Sequence, residues 1–123
     1  MASVAGRFGR SERLRRSREF QRVSREGQRA ATQHFVLLRA PAAGRPPGLR
    51  LGVTVSRAVG NSVARNRVKR VIREWFRIVG KNLEGLGDSD LVIIARRGAA
   101  TVAGGAMLVE LDALARRAGE AAD

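Results

Sequence analysis

The run Gly60-Asn61-Ser62-Val63-Ala64-Arg65-Asn66-Arg67-Val68-Lys69-Arg70-Val71-Ile72-Arg73-Glu74-Trp75-Phe76-Arg77 constrains this chain more than any other part of it. Read as a helix from about Ser62 to about Gly80, it separates into two faces at the 3.6-residue period. Ala64, Val68, Val71, Ile72, Trp75 and Val79 fall on one apolar arc. Arg65, Lys69, Arg73 and Arg77 follow each other at i, i+4 along the other side, with Asn66 and Arg70 in the adjacent row. Like charges at that spacing cost about 0.2–0.5 kcal/mol per pair in an isolated helix. A merely solvated face mixes both signs, whereas here only Glu74 offsets the ladder. A polyanion whose phosphates neutralise the cations accounts for the arrangement.

The rest of the composition points the same way. The chain has 123 residues and a formal charge of +13. That length suits one domain, able to bury roughly two-thirds of its unfolded surface in a core of helices packed on a sheet. The charge suits nucleic acid first and an anionic membrane second. Of 24 basic residues only Lys69 and Lys81 are lysine. Arginine favours bidentate phosphate contacts and stacking on bases, although a coding bias would enrich it equally. With no cysteine there is no disulfide, thiolate metal site or Cys nucleophile. No 18-residue apolar run or signal core is visible, so a cytoplasmic protein is expected.

Taken in order, residues 1–12 read as a basic, flexible arm, residues 13–118 as a single RNA-binding domain, and residues 119–123 as a disordered tail. Leu14 is the candidate anchor of the arm. Ser17 is placed to cap a helix through about Glu26, with Glu19 in its first turn and Gly27 beyond its end. Phe20 and Val23 share a face of that helix, among Arg15, Arg16, Arg18, Arg22 and Arg25. A strand is expected over His34–Arg39, a Pro/Gly loop over Ala40–Gly48, and a half-buried strand over Leu49–Arg57 with Leu51, Val53 and Val55 inward. Asn82 to Asp88 is another loop. Asp90–Arg97 holds the continuous apolar run of a buried strand. Gly98 to Gly105 is loop or a weak helix start, and Met107, Leu108, Leu111, Leu114 and Ala115 form the stripe of a last amphipathic helix.

A hydrolytic centre is hard to assemble from these residues. His34 is the only histidine and has no second His or Cys with which to hold a metal. Glu84, Asp88 and Asp90 read as loop acids rather than a catalytic pair. Ser56 and Ser62 lack a base, and Ser62 is placed to cap the basic helix. Gly60-Asn61 stands at a strand-to-helix junction where a phosphate could meet backbone amides, but the glycines and Lys-Ser/Thr of a nucleotide loop are missing. Trp75 belongs in the core, Phe76 cannot be assigned, and Phe20 and Phe35 could either pack on the sheet or stack on a single strand.

The run from Val59 to Glu74 resembles the signature of the bacterial ribonuclease P protein component. Arg65-Asn66-Arg67, followed by Lys69-Arg70 and Arg73, matches that family's arginine-asparagine-arginine motif position by position. Arg13-Leu14, Glu19-Phe20-Gln21, Val23 and Gly27 resemble its N-terminal helix segment. Phe35-Val36-Leu37, Gly52-Val53 with Val55-Ser56, and Leu91 to Arg96 resemble its core strands. The resemblance covers about Arg13 to Ala118.

It implies an α+β fold, a two-layer α/β sandwich. A mostly antiparallel four-stranded sheet, with one short strand, carries three helices and a left-handed βαβ crossover through the basic helix. It implies a subunit that binds a catalytic RNA through Asn61, Arg65, Asn66, Arg67, Lys69, Arg70 and Arg73. It further implies a cleft for the 5′ leader of precursor tRNA, with Phe20 and Phe35 in it; Arg18 and Arg22 lie close in sequence to supply charge. The RNA subunit would hydrolyse the leader with its own Mg²⁺; the protein would carry no catalytic or metal-binding residue and no organic cofactor, and would be monomeric without RNA. Ser24 and Leu38 stand where relatives often carry aromatic residues, and Gly104-Gly105 where they have better helix formers. Two rivals remain: a general RNA-binding or ribosomal protein, and a nuclease that cleaves alone.

Overall fold

Two runs apolar on both sides of the backbone, Phe35-Val36-Leu37-Leu38 and Leu91-Val92-Ile93-Ile94, lie side by side at the middle of the sheet. The computed structural model describes residues 12–42, 44, 48–79 and 86–121. Strand β1 (Gln28–Ala31) pairs antiparallel with β2 (Phe35–Pro41), which pairs antiparallel with β4 (Ser89–Ala95). Strand β3 (Arg50–Thr54) runs parallel to β4 on its other side, giving the order β1-β2-β4-β3. Helix α2 (Ser62–Ile78) lies in the crossover joining those parallel neighbours. The remaining helices are α1 (Ser17–Glu26) and α3 (Gly104–Ala121).

The period-2 alternation of the strands sends their side chains to two different cores. Phe35, Leu37, Leu51, Leu91 and Ile93 pack with Val68, Ile72, Trp75 and Phe76 of α2 and Met107, Leu111 and Leu114 of α3. Val36, Leu38, Ala40 and Val92 face the opposite way, onto Val23 of α1 and Leu14. Both faces of the central strands are therefore covered, which is why their sequences read as continuous apolar runs. Leu14 is the expected anchor: it is 5 % exposed, and its N–H donates to Leu51 O at 3.0 Å along the outer edge of β3.

Several boundaries differ from expectation for identifiable reasons. Strand β3 stops at Thr54 because the chain makes a single 3-10 turn at Arg57–Val59 before α2. The cap of α2 is Asn61, not Ser62; its Oδ1 accepts from the Ala64 N–H at 2.9 Å, and Ser62 is the first helical residue. Likewise Ser17 begins α1 without capping it. Glu19 Oε1 reaches back to the N–H groups of Arg15 (3.3 Å) and Arg16 (3.2 Å) instead. Gly27 follows α1 with extended backbone, and the position requires glycine because a Cβ there would lie 2.4 Å from Val23 O and 2.9 Å from Arg39 O. Val79 is exposed and Phe76 is fully buried in its stead, since Val79 follows the last helical residue and leaves the α2 arc. Helix α3 starts at Gly104 despite the paired glycines, preceded by a 3-10 turn at Ala99–Thr101, and continues to Ala121, into the residues expected to form a disordered tail. The expected arm, apart from Glu12, lies outside the described residues, as do parts of both loops, including Glu84.

His34 and Glu110 pin α3 to the turn between β1 and β2. His34 Nδ1 lies 2.8 Å from Glu110 Oε1, and Glu110 Oε2 accepts from the His34 N–H (2.7 Å) and Thr32 Oγ1 (2.5 Å). Partial burial works to raise the Glu110 pKa, but these hydrogen bonds and the His34 charge outweigh it and leave the carboxyl below its ordinary value.

Candidate RNA-binding surfaces

With Val68, Ile72, Trp75 and Phe76 turned into the core, α2 presents its basic face outward. Asn66, Arg70 and Arg73 are exposed, and Arg65 and Lys69 are partly so. Arg65 Nε donates to Gly60 O at 3.1 Å, which steadies its stem at the start of the helix. Arg77 leaves the ladder for a local pair with Glu74 at 2.6 Å. Arg67, expected among the RNA contacts, is turned to the protein. Its Nη1 donates to Ala100 O (3.2 Å) and its Nη2 to Val102 O (2.8 Å), tying α2 to the turn ahead of α3. Asn61, expected in the same set, uses its Oδ1 on the helix cap.

On the other face of the sheet α1 leaves an open groove of about 210 Å³. It is lined by Phe20, Gln21 and Ser24 of α1, Leu38 of β2, Thr54 of β3, and Val92 and Ile94 of β4. Phe20 is half-buried and lies over Gly52, where an added Cβ would come within 2.6 Å of the ring. A glycine inside a strand often marks such a close approach, and that signal was available in the sequence. Ser24 and Leu38 stand beside Phe20, so the groove has one aromatic wall and otherwise small or aliphatic ones.

Two residues expected in this cleft are elsewhere. Phe35 is completely buried in the core beneath α2 and α3, on the opposite face from Phe20, because it shares the parity of Leu37 along β2. The position that faces α1 is Val36. Arg22 does not line the groove either. It forms an ion pair with the buried carboxylate of Asp90, pairs with Glu26 at 3.3 Å and donates to Pro41 O at 3.3 Å. Asp90, expected to be a loop acid, is 1 % exposed at its side chain and also accepts from Arg50 at 3.0 and 3.2 Å. Arg50 completes the network with Glu19 at 2.9 Å, and its hydrogen bond with Asp90 raises its pKa against the effect of burial. Arg18 is exposed on α1. The Arg22→Ala variant is expected to lose about 1–3 kcal/mol in urea unfolding, because a buried carboxylate loses one of its cationic donors. Its RNA affinity, read on the folded fraction, should hold; a drop in affinity at unchanged stability would return Arg22 to the groove.

A cationic helix on one side of a mixed sheet and an aromatic-walled groove on the other define an α+β RNA-binding protein. Among the described residues no group of three or more His, Cys, Asp or Glu could hold a metal ion. The family model described as Ribonuclease P matches residues 8–119. The chain is 44% identical over 95 residues to the ribonuclease P protein component of Syntrophobacter fumaroxidans, covering 77% of each chain. Its fold is similar to the 2.0 Å structure of the Staphylococcus aureus RNase P protein: TM-score 0.79, 29% identity, 87% of this chain and 94% of that one covered. The Thermotoga maritima RNase P protein is similar at TM-score 0.72 and 31% identity, with 85% of this chain and 96% of that one covered. The chain belongs to the family of ribonuclease P protein components, the protein subunits of the tRNA-processing endoribonuclease.

Proposed function

We propose that this subunit binds the catalytic RNA through the outward face of α2 and grips the 5′ leader of precursor tRNA in the groove beneath α1. Arg65, Asn66, Lys69, Arg70 and Arg73 are the residues through which α2 would meet phosphates; Arg67 and Asn61 would hold that helix in place. The RNA subunit would carry the reaction and bind the Mg²⁺ it needs; the histidine–carboxylate pair of this chain, His34 with Glu110, is taken up in tying α3 to the turn between β1 and β2. The observation that carries the leader reading is Phe20 itself: a half-buried ring at the margin of the smaller core, lying over Gly52 and flanking an open, largely apolar trough. Unstacked bases of a single strand need such a surface beside positive charge. The protein would work in the cytoplasm as a monomer until it meets RNA; no described helix is long and apolar enough to cross a membrane.

Phe20→Ala is expected to weaken holoenzyme binding of precursor tRNA by about 1–3 kcal/mol, the range for one base-stacking side chain. The low end applies here because Ser24 and Leu38 add no second ring. Mature tRNA binding and assembly with the RNA subunit should hardly change. Equal losses for precursor and mature tRNA would remove the leader from this groove. Cleavage of precursor tRNA by the cognate RNA at low Mg²⁺, with and without this protein, separates the whole reading from its rivals. Stimulation supports it, no effect favours a general RNA-binding protein, and cleavage without the RNA a self-sufficient nuclease.

A further inference from the structure

Phe20 lines a second hollow as well as the groove. This one, of about 160 Å³, is bounded by Arg13, Leu14, Arg15, Phe20, Leu51, Val53 and Arg73. It arises because the N-terminal segment runs alongside the outer edge of β3, where Arg13 bridges to Leu51, and because Arg73 at the middle of the α2 ladder stands close enough to sense the Arg13 charge. Its lining brings together three arginines from two distant parts of the chain. Leu14 and Leu51 are buried, so the walls behind these cations are apolar. The Arg73 pKa is lowered, first by partial burial and then by Arg13, which means that its charge is held against an unfavourable field.

The chemistry on the two sides of the ring is complementary. The groove offers apolar surface with Gln21, Ser24 and Thr54 and no charged lining residue, which suits a base. The hollow offers guanidinium forks against apolar walls, which suits a phosphate: the fork matches two phosphate oxygens and the low-dielectric wall strengthens the attraction. We propose that the Arg13–Arg15–Arg73 hollow is a phosphodiester-binding site for an RNA strand that crosses Phe20, with its phosphate in the hollow and its neighbouring base in the groove. This rests on the reading of the groove as a single-strand site. Arg73 belongs both to the ladder and to the hollow, so the phosphate could come from the leader or from the RNA subunit; continuity with the groove across one ring favours the leader.

The test uses the holoenzyme with the double variant Arg13→Gln, Arg15→Gln, which leaves the main-chain bridge to Leu51 and the α2 ladder in place. Precursor tRNAs carry a single neutral methylphosphonate at successive leader positions, and mature tRNA serves as the leaderless control. The expected result is a loss of about tenfold in precursor affinity near 0.1 M salt, with the log-log salt slope reduced by about one unit. Mature tRNA binding and assembly should stay as they were. One methylphosphonate position should weaken the parent and leave the variant unaffected. A slope change confined to assembly would keep the site and assign its phosphate to the RNA subunit. Unchanged slopes in both arms, with a parental melting temperature, would overturn the proposal. Should the double variant fail to fold, Arg15→Gln alone, whose side chain is exposed, gives the same readings at smaller amplitude. Phe20→Ala distinguishes the two failures. If it loses precursor preference while the arginine variant does not, only the hollow falls; if neither loses it, the single-strand groove falls as well.

Discussion

Replacing Arg65, Lys69 and Arg73 together with alanine is expected to lower affinity for the RNA subunit steeply and to flatten its salt dependence by about two to three log-log units. Each side chain that neutralises a phosphate releases condensed counterions, and its loss reduces the slope by about one. The structure makes this a clean experiment for folding. None of the three contributes to the buried arc of Val68, Ile72, Trp75 and Phe76, and the only internal hydrogen bond described for them is the one from Arg65 Nε to Gly60 O. Removing three like charges from one helix face also relieves repulsion. The variant should melt at or slightly above the parental temperature. An unchanged slope in that folded variant would place the RNA contact on another face. Arg67→Ala is the informative companion: it frees the carbonyls of Ala100 and Val102, and should lower stability more than it lowers the slope.

Trp75→Ala is expected to cost about 3–5 kcal/mol in equilibrium unfolding, a large fraction of a small domain's total stability. Trp75 is 1 % exposed among the largest side chains of the principal core, with the Phe76 ring centroid 6.5 Å away. Its indole Nε1–H donates to Asp112 Oδ1 at 2.7 Å, so the truncation opens a cavity and also strips a carboxylate on α3 of its donor. Trp75→Phe also deletes the hydrogen bond but leaves a smaller cavity, and should cost less. RNA affinity of the folded fraction should be unaltered in both variants. A Trp75→Ala protein that melts like the parent but binds RNA poorly would make Trp75 a stacking residue.

Local periodicity was a sound guide wherever one side of an element faces water. The basic face of α2, the inward placement of Trp75 and the burial of Met107, Leu111, Leu114 and Ala115 all follow from the 3.6-residue repeat, whereas Leu108, expected in the same stripe, lies at its margin and is 40 % exposed. It failed at Val79, where the helix ends and the repeat with it. On β2 it could say that Phe35 and Leu37 share a side, but not which side. Both faces of that strand are covered, so burial does not distinguish Phe35 from Val36. The family resemblance alone put Phe35 beside Phe20, and the apolar pattern of β2 held nothing to correct it.

The sequence alone determined that this is a basic domain of helices on an apolar sheet with one cationic helix, because composition, charge spacing and helical period are properties of short stretches. The family motif is itself such a stretch. What the tertiary structure decided are the partners of individual side chains across long separations. Arg22 and Arg50 meet Asp90 at separations of 68 and 40 residues, and Arg67 reaches a carbonyl 35 residues away. Arginine serves a phosphate or a buried acceptor with the same fork, so its residue type cannot say which it will meet. Only the packing of α1 on one sheet face and α2 on the other separates Arg22 and Arg67, held by the protein, from Arg65, Lys69 and Arg73, left facing outward.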